Sequence, residues 1–134
     1  MRAQIPAFIA LLSISMSPAN AENANRWFLV SGGDWVPTSS QLVELRSKIE
    51  AETTVLAKAR RRDLLPWGSY QFQYQGEVEK GRQVIHVQGV CHDPSSGDLS
   101  KQWISISDGG ACVFNIIYDV SAKKFFALDV NGEA

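Results

Sequence analysis

The stretch Tyr70-Gln71-Phe72-Gln73-Tyr74-Gln75 alternates ring and amide without a break. Successive side chains take opposite sides in an extended strand, so this segment reads as a strand with one apolar face and one polar, uncharged face. Lys80-Gly81 supplies a tight turn, and Val84-Ile85-His86-Val87 begins the returning strand. A turn of that length sets Glu79 opposite Arg82, Tyr74 opposite Val87 and Gln75 opposite His86. Tyr70, Phe72, Tyr74, Val78, Ile85, Val87 and Cys91 then share one face, and Gln71, Gln73, Gln75, Glu77, His86 and Gln88 the other. Asp93 to Asp98 is a loop by composition. A third strand is expected from about Trp103, bent or bulged at Asp108-Gly109-Gly110 and continuing through Val113 to Tyr118. A fourth runs from Lys124 to Val130.

Upstream the period changes from 2 to 3.6. Thr38 is placed to cap a helix, with Gln41 three residues on as in a capping box and Val36 ready to staple to Leu42. Leu42, Leu45, Ile49 and Leu56 recur on one face, with Val43 and Val55 at its margins; Glu44, Lys48, Glu50, Glu52 and Lys58 fall largely elsewhere. The helix is expected to end near Arg62, because Pro66 in Leu64-Leu65-Pro66-Trp67-Gly68 cannot continue it. Before the helix, Trp27-Phe28-Leu29-Val30 reads as an extended lead-in that tucks aromatics against the body. The expected fold is α+β: one long N-terminal helix packed on a four-stranded antiparallel meander sheet.

Residues 1–21 carry the features of a cleavable secretory signal: Arg2, an apolar run from Ile5 to Met16, and Ala19-Asn20-Ala21 before the expected cleavage point. The apolar run is shorter than the roughly 20 residues of a spanning helix, so no transmembrane segment is expected after cleavage. Removing 21 residues from 134 leaves 113, residues 22–134, enough for a single domain. Loss of Arg2 takes the basic residues from 13 to 12 against 14 acidic ones, a net charge of −2. That balance offers no general field for nucleic acid. The two cysteines, Cys91 and Cys112, both fall in the mature part and are expected to pair in an oxidising compartment, contributing about 3 kcal/mol. Two free buried thiols are the alternative, since sequence does not give the distance between them. The expected location is periplasmic or secreted.

Tyr70 to Gly76 (with Tyr70, Gln73, Tyr74 and Gly76 as its pattern), Gly81 to Val87, Asp108-Gly109-Gly110 through Phe114, and the closing Val130-Asn131-Gly132-Glu133-Ala134 carry a likeness. In these segments the chain resembles a group of short exported bacterial proteins of uncharacterised function. The resemblance covers residues 64–134 and the helix more loosely. It implies an export-associated domain of this shape and brings no reaction or ligand with it. In architecture, a helix followed by a meander looks like the cystatin-type helix-grip fold.

Catalysis would draw on His86, His92, Asp93 and Asp108, the two histidines and acids near them. Neighbours such as His92 and Asp93 point apart on an extended chain, and there is no glycine-flanked serine nucleophile or HExxH. Asp93, Asp98 and Asp108 are the acids that a calcium site would use, but Asp-Gly pairs are ordinary turn residues. No catalytic set, metal site or cofactor is therefore expected. The basic run Lys58-Ala59-Arg60-Arg61-Arg62 suits either a contact with acidic groups or the negative end of a helix dipole. Gln71, Gln73, Gln75, His86 and Gln88 form the candidate binding surface, a flat array of donors and acceptors that otherwise is simply a solvated sheet face. Three functions stay open: a small binding module for another envelope protein or an envelope polymer, a small envelope enzyme with its pocket between helix and sheet, and a structural or stress-related envelope protein. Oligomeric state is not legible.

Overall fold

In the computed structural model the described residues are 26–91, 98–105 and 110–131. The expected secretory segment, His92, Asp93 and Asp108 lie outside them. The elements are β1 (Trp27–Leu29), α1 (Ser39–Ala59), β2 (Tyr70–Glu79), β3 (Arg82–Cys91), β4 (Val113–Asp119) and β5 (Lys124–Val130), with single 3-10 turns at Trp67–Ser69 and Gly110–Cys112. The domain is α+β, with one helix among the described residues against a five-stranded mixed sheet in the order β1-β2-β3-β4-β5.

The hairpin register is the expected one: Glu79 faces Arg82, Tyr74 faces Val87 and Gln75 faces His86. Two expectations are corrected. The lead-in at Trp27 is a strand, and it precedes the helix. β1 runs parallel to β2, Trp27 opposite Phe72 and Leu29 opposite Tyr74, because the chain leaves β1, crosses the layer through α1 and returns in the same direction. Phe72 N–H donates to Arg26 O at 2.7 Å and Val30 N–H to Tyr74 O at 2.9 Å, while the Trp27 ring stacks on Phe72 at 4.4 Å. The second correction is at Trp103, where no strand begins; β4 starts at Val113, and 98–105 crosses the sheet instead.

The capping box forms as read: Gln41 N–H donates to Thr38 Oγ1 at 3.1 Å, and Thr38 N–H to Gln41 Oε1 at 2.9 Å. Regular helix stops at Ala59, short of Arg62. Arg61 adopts a left-handed φ of 58°. Arg62 N–H then reaches back to Ala57 O at 2.9 Å and Arg61 N–H to Lys58 O at 3.0 Å, the hydrogen-bond pattern of a Schellman cap.

Leu45, Ile49, Thr53 and Ala57 are the buried helix positions, at the spacing of a single stripe. They meet Tyr70, Phe72, Ile85, Val87, Phe114, Ile116, Tyr118, Phe125, Leu128 and Val130 in the core between the layers. Leu42 and Leu56 sit at its edge; Val43 and Val55 are exposed. Gly89 is required here, since a Cβ at that position would lie 2.2 Å from the Phe114 ring. At one end of the sheet a Cys91–Cys112 disulfide links the end of β3 to the turn before β4, in keeping with an oxidising compartment. No helix among the described residues is long and apolar enough to cross a membrane.

Candidate interaction surfaces

β2 and β3 carry Gln73, Gln75 and Gln88 away from the helix, as the alternation requires, yet all three are buried, Gln73 completely. The expectation of a solvated amide face is thus corrected at these positions, because the chain's own segments cover them. Gln73 Nε2 donates to Leu99 O at 2.9 Å and Gln102 O at 2.7 Å; its Oε1 accepts from Gln88 Nε2 and Ile104 N–H, each at 3.0 Å. Gln88 Nε2 also donates to Ile104 O at 2.9 Å. Gln75 Nε2 reaches Ser31 O at 2.9 Å and Val30 O at 3.3 Å on the other side. Neutral amides suit this work, since each carries donors and acceptors and none brings the desolvation cost of a charge. Segment 98–105 is further anchored where Ser31 N–H donates to Ser100 O at 3.1 Å. It opens on an Asx turn in which Ser100 N–H and Oγ–H donate to Asp98, holding the Asp98 carboxyl below its ordinary value.

Gln71 and His86 remain half-exposed. His86 Nε2 lies 2.7 Å from Asn115 Oδ1 and Nδ1 lies 3.3 Å from Glu77 Oε2, while Trp103 stacks on the ring at 4.4 Å. Both ring nitrogens are therefore engaged and one ring face is covered. Sequence reasoning missed Trp103 as the partner of this histidine, having placed it in a strand. Asp98, on the described side of its loop, is turned into its own backbone. Among the described residues no three His, Cys, Asp or Glu side chains converge as metal ligands.

The basic run separates into two jobs. Arg60 donates to Leu128 O through Nη1, and Arg62 Nη2 donates to Val130 O at 2.8 Å and Asn131 O at 3.1 Å. These guanidinium groups hold the helix end to β5. Lys58 and Arg61 point instead toward solvent at the rim of an open cleft of about 580 Å³. Its remaining lining is Glu50, Thr54, Ala57, Arg62, Asp63, Leu64, Leu65 and Trp67. The Schellman turn at Arg61 and the break at Pro66 build this cleft, by folding Leu64, Leu65 and Trp67 back beside the last turns of α1.

The apolar wall is firmly seated. Trp67 packs within 5.9 Å of Tyr70, 5.1 Å of Phe72 and 5.8 Å of Phe114. Tyr70 O–H donates to Ala111 O at 2.5 Å and accepts from Leu65 N–H at 3.0 Å, and its burial raises the phenol pKa. Arg26 clamps the same corner, donating from Nη2 to Trp67 O at 3.0 Å and from Nε to Tyr70 O at 2.9 Å. The sequence signal for this wall was the Leu64-Leu65-Pro66-Trp67 run itself, which reads as a helix stop and gives no hint that it lines a cleft.

No protein family, curated protein or solved structure matches this chain.

Proposed function

We propose that this chain is a small exported interaction module, periplasmic or secreted, whose contact surface is the cleft beside the C-terminal turns of α1. The observation that carries the reading is the lining: an apolar wall of Leu64, Leu65 and Trp67 beside a rim of mixed charge, Lys58 and Arg61 with Glu50 and Asp63. Such a site favours a segment of an envelope protein or an envelope polymer that offers an apolar group to the wall and carries an acidic group placed against Lys58 and Arg61, clear of Glu50 and Asp63. The covered amides favour this placement over the outer sheet face, because Gln73, Gln75 and Gln88 already spend their hydrogen bonds within the chain. The enzyme reading has less support. His86 stands on the other side of the sheet from this cleft, with both ring nitrogens and one ring face in contact with Glu77, Asn115 and Trp103. The Cys91–Cys112 disulfide and the Arg2 to Ala21 segment support export.

The test places a photo-crosslinking residue at Thr54 in the mature chain and exposes it to native envelope extract. We expect one dominant adduct that is lost in Lys58→Glu/Arg61→Glu and retained in His86→Ala. An adduct indifferent to the charge reversal, or lost with His86, would overturn the assignment.

A further inference from the structure

Among the described residues β5 is the last strand of the sheet and has a neighbour, β4, on one side only. Every second residue of such a strand offers its N–H and C=O outward, a template for pairing with another chain. Asn131 N–H donates to Val113 O at 2.9 Å, so the preceding residue Val130 faces away from β4, and Leu128, just past a bulge at Ala127, follows the same alternation; both carbonyls accept from arginine side chains. The arginines come from the helix end. Arg61, at φ 58°, turns the chain so that Arg60 and Arg62 emerge on the same side and reach alternate carbonyls, Leu128 O and Val130 O, two residues apart like the groups they cap.

We infer that Arg60 and Arg62 are an edge guard, and that the surface they close is a strand-pairing site whose natural occupant would be β5 of a second copy of this chain. A second copy is favoured by charge. Lys124 stands at the start of the strand and Asp129 near its end, so antiparallel pairing of two identical edges sets lysine near aspartate at both ends of the seam. Phe126, 40% exposed on the same strand, adds apolar surface beside it. A guanidinium is suited to this guarding role: it donates to a carbonyl in place of a neighbouring strand's N–H, and it offers no acceptor with which a new strand could continue the ladder.

The experiment compares the mature chain with Arg60→Ala/Arg62→Ala by sedimentation equilibrium, with amide hydrogen exchange on both. The expected result is self-association of the variant at a concentration lower by about tenfold or more, with the Leu128 and Val130 amides becoming protected in the associated form. A variant that keeps its far-ultraviolet circular dichroism and associates no more than the parent would overturn the inference; so would association that leaves those two amides unprotected. If the double variant loses its fold, Arg60→Gln alone, which leaves Arg62 on Val130 and Asn131, is read through the Leu128 amide with the same two outcomes.

Discussion

At the scale of single residues, the polar groups inside the protein differ in how completely they are satisfied. Gln73 uses both its donor hydrogens and its carbonyl oxygen on Leu99, Gln102, Gln88 and Ile104. Truncating it removes the partner of the buried Leu99 carbonyl and of the part-buried Gln102 carbonyl and Ile104 N–H, so Gln73→Ala is expected to lower unfolding free energy by about 2–3 kcal/mol in urea titration. Thr53 is the reverse case: its hydroxyl is buried in the helix face with no hydrogen-bond partner among the described residues. Thr53→Val keeps the shape and removes the desolvated group, and should raise stability by about 1 kcal/mol in the same assay. The tyrosines set an alkaline limit. Burial raises the phenol pKa of Tyr70 and Tyr74 above the ordinary 10.0. The folded state therefore prefers the protonated phenol; this stabilisation is fully present below the unfolded pKa and is lost as pH rises through the folded one. Phenolate absorbance followed against pH should show these rings titrating above free tyrosine, with the far-ultraviolet signal lost in the same alkaline range.

At the scale of elements, local patterns were legible and long-range coverings were not. The turn at Lys80-Gly81 and the ring-amide alternation determined the whole β2–β3 register, and Thr38 with Gln41 located the helix start. β1 escaped because it is three residues long and takes its partner from the far side of a helix. The amide face was assigned to the correct side of the sheet, yet alternation cannot say what a remote segment lays over it. Two signals pointed to burial: the outward residues of the Tyr70–Gln75 stretch are uncharged throughout, and Val84, Val90 and Val113, all 2% exposed, share that face. The basic run was legible as cations at a helix end but not as donors to β5, since those carbonyls lie 68 residues away. Its middle residue carries a testable cost. Arg61 holds a left-handed conformation that glycine adopts freely, so Arg61→Gly is expected to stabilise the protein by about 0.5–1 kcal/mol in thermal or urea unfolding, while removing one cation from the cleft rim.

At the scale of the whole molecule, the sheet is covered by α1 on one face and over Gln73, Gln75 and Gln88 on the other, and an open cleft lies at the helix end. On one face α1 covers Tyr70, Phe72, Ile85 and Phe114; on the other, segments 30–31 and 98–105 are fastened by glutamines. The disulfide joins the end of β3 to the turn before β4, and its reduction is expected to lower stability by about 3 kcal/mol, measured as a shift of the urea midpoint with and without reductant. The proposed placement of function at the cleft depends on the outer face being covered at Gln73, Gln75 and Gln88. Side-chain amide exchange of Gln73 and Gln88, followed by NMR on glutamine-labelled protein, tests that sealing most directly. Two glutamine NH2 groups exchanging far more slowly than that of Gln71, with slow exchange at the Ile104 backbone amide, is the predicted result. Exchange of all these groups at the rate of free glutamine would show the face open to water and contradict the account.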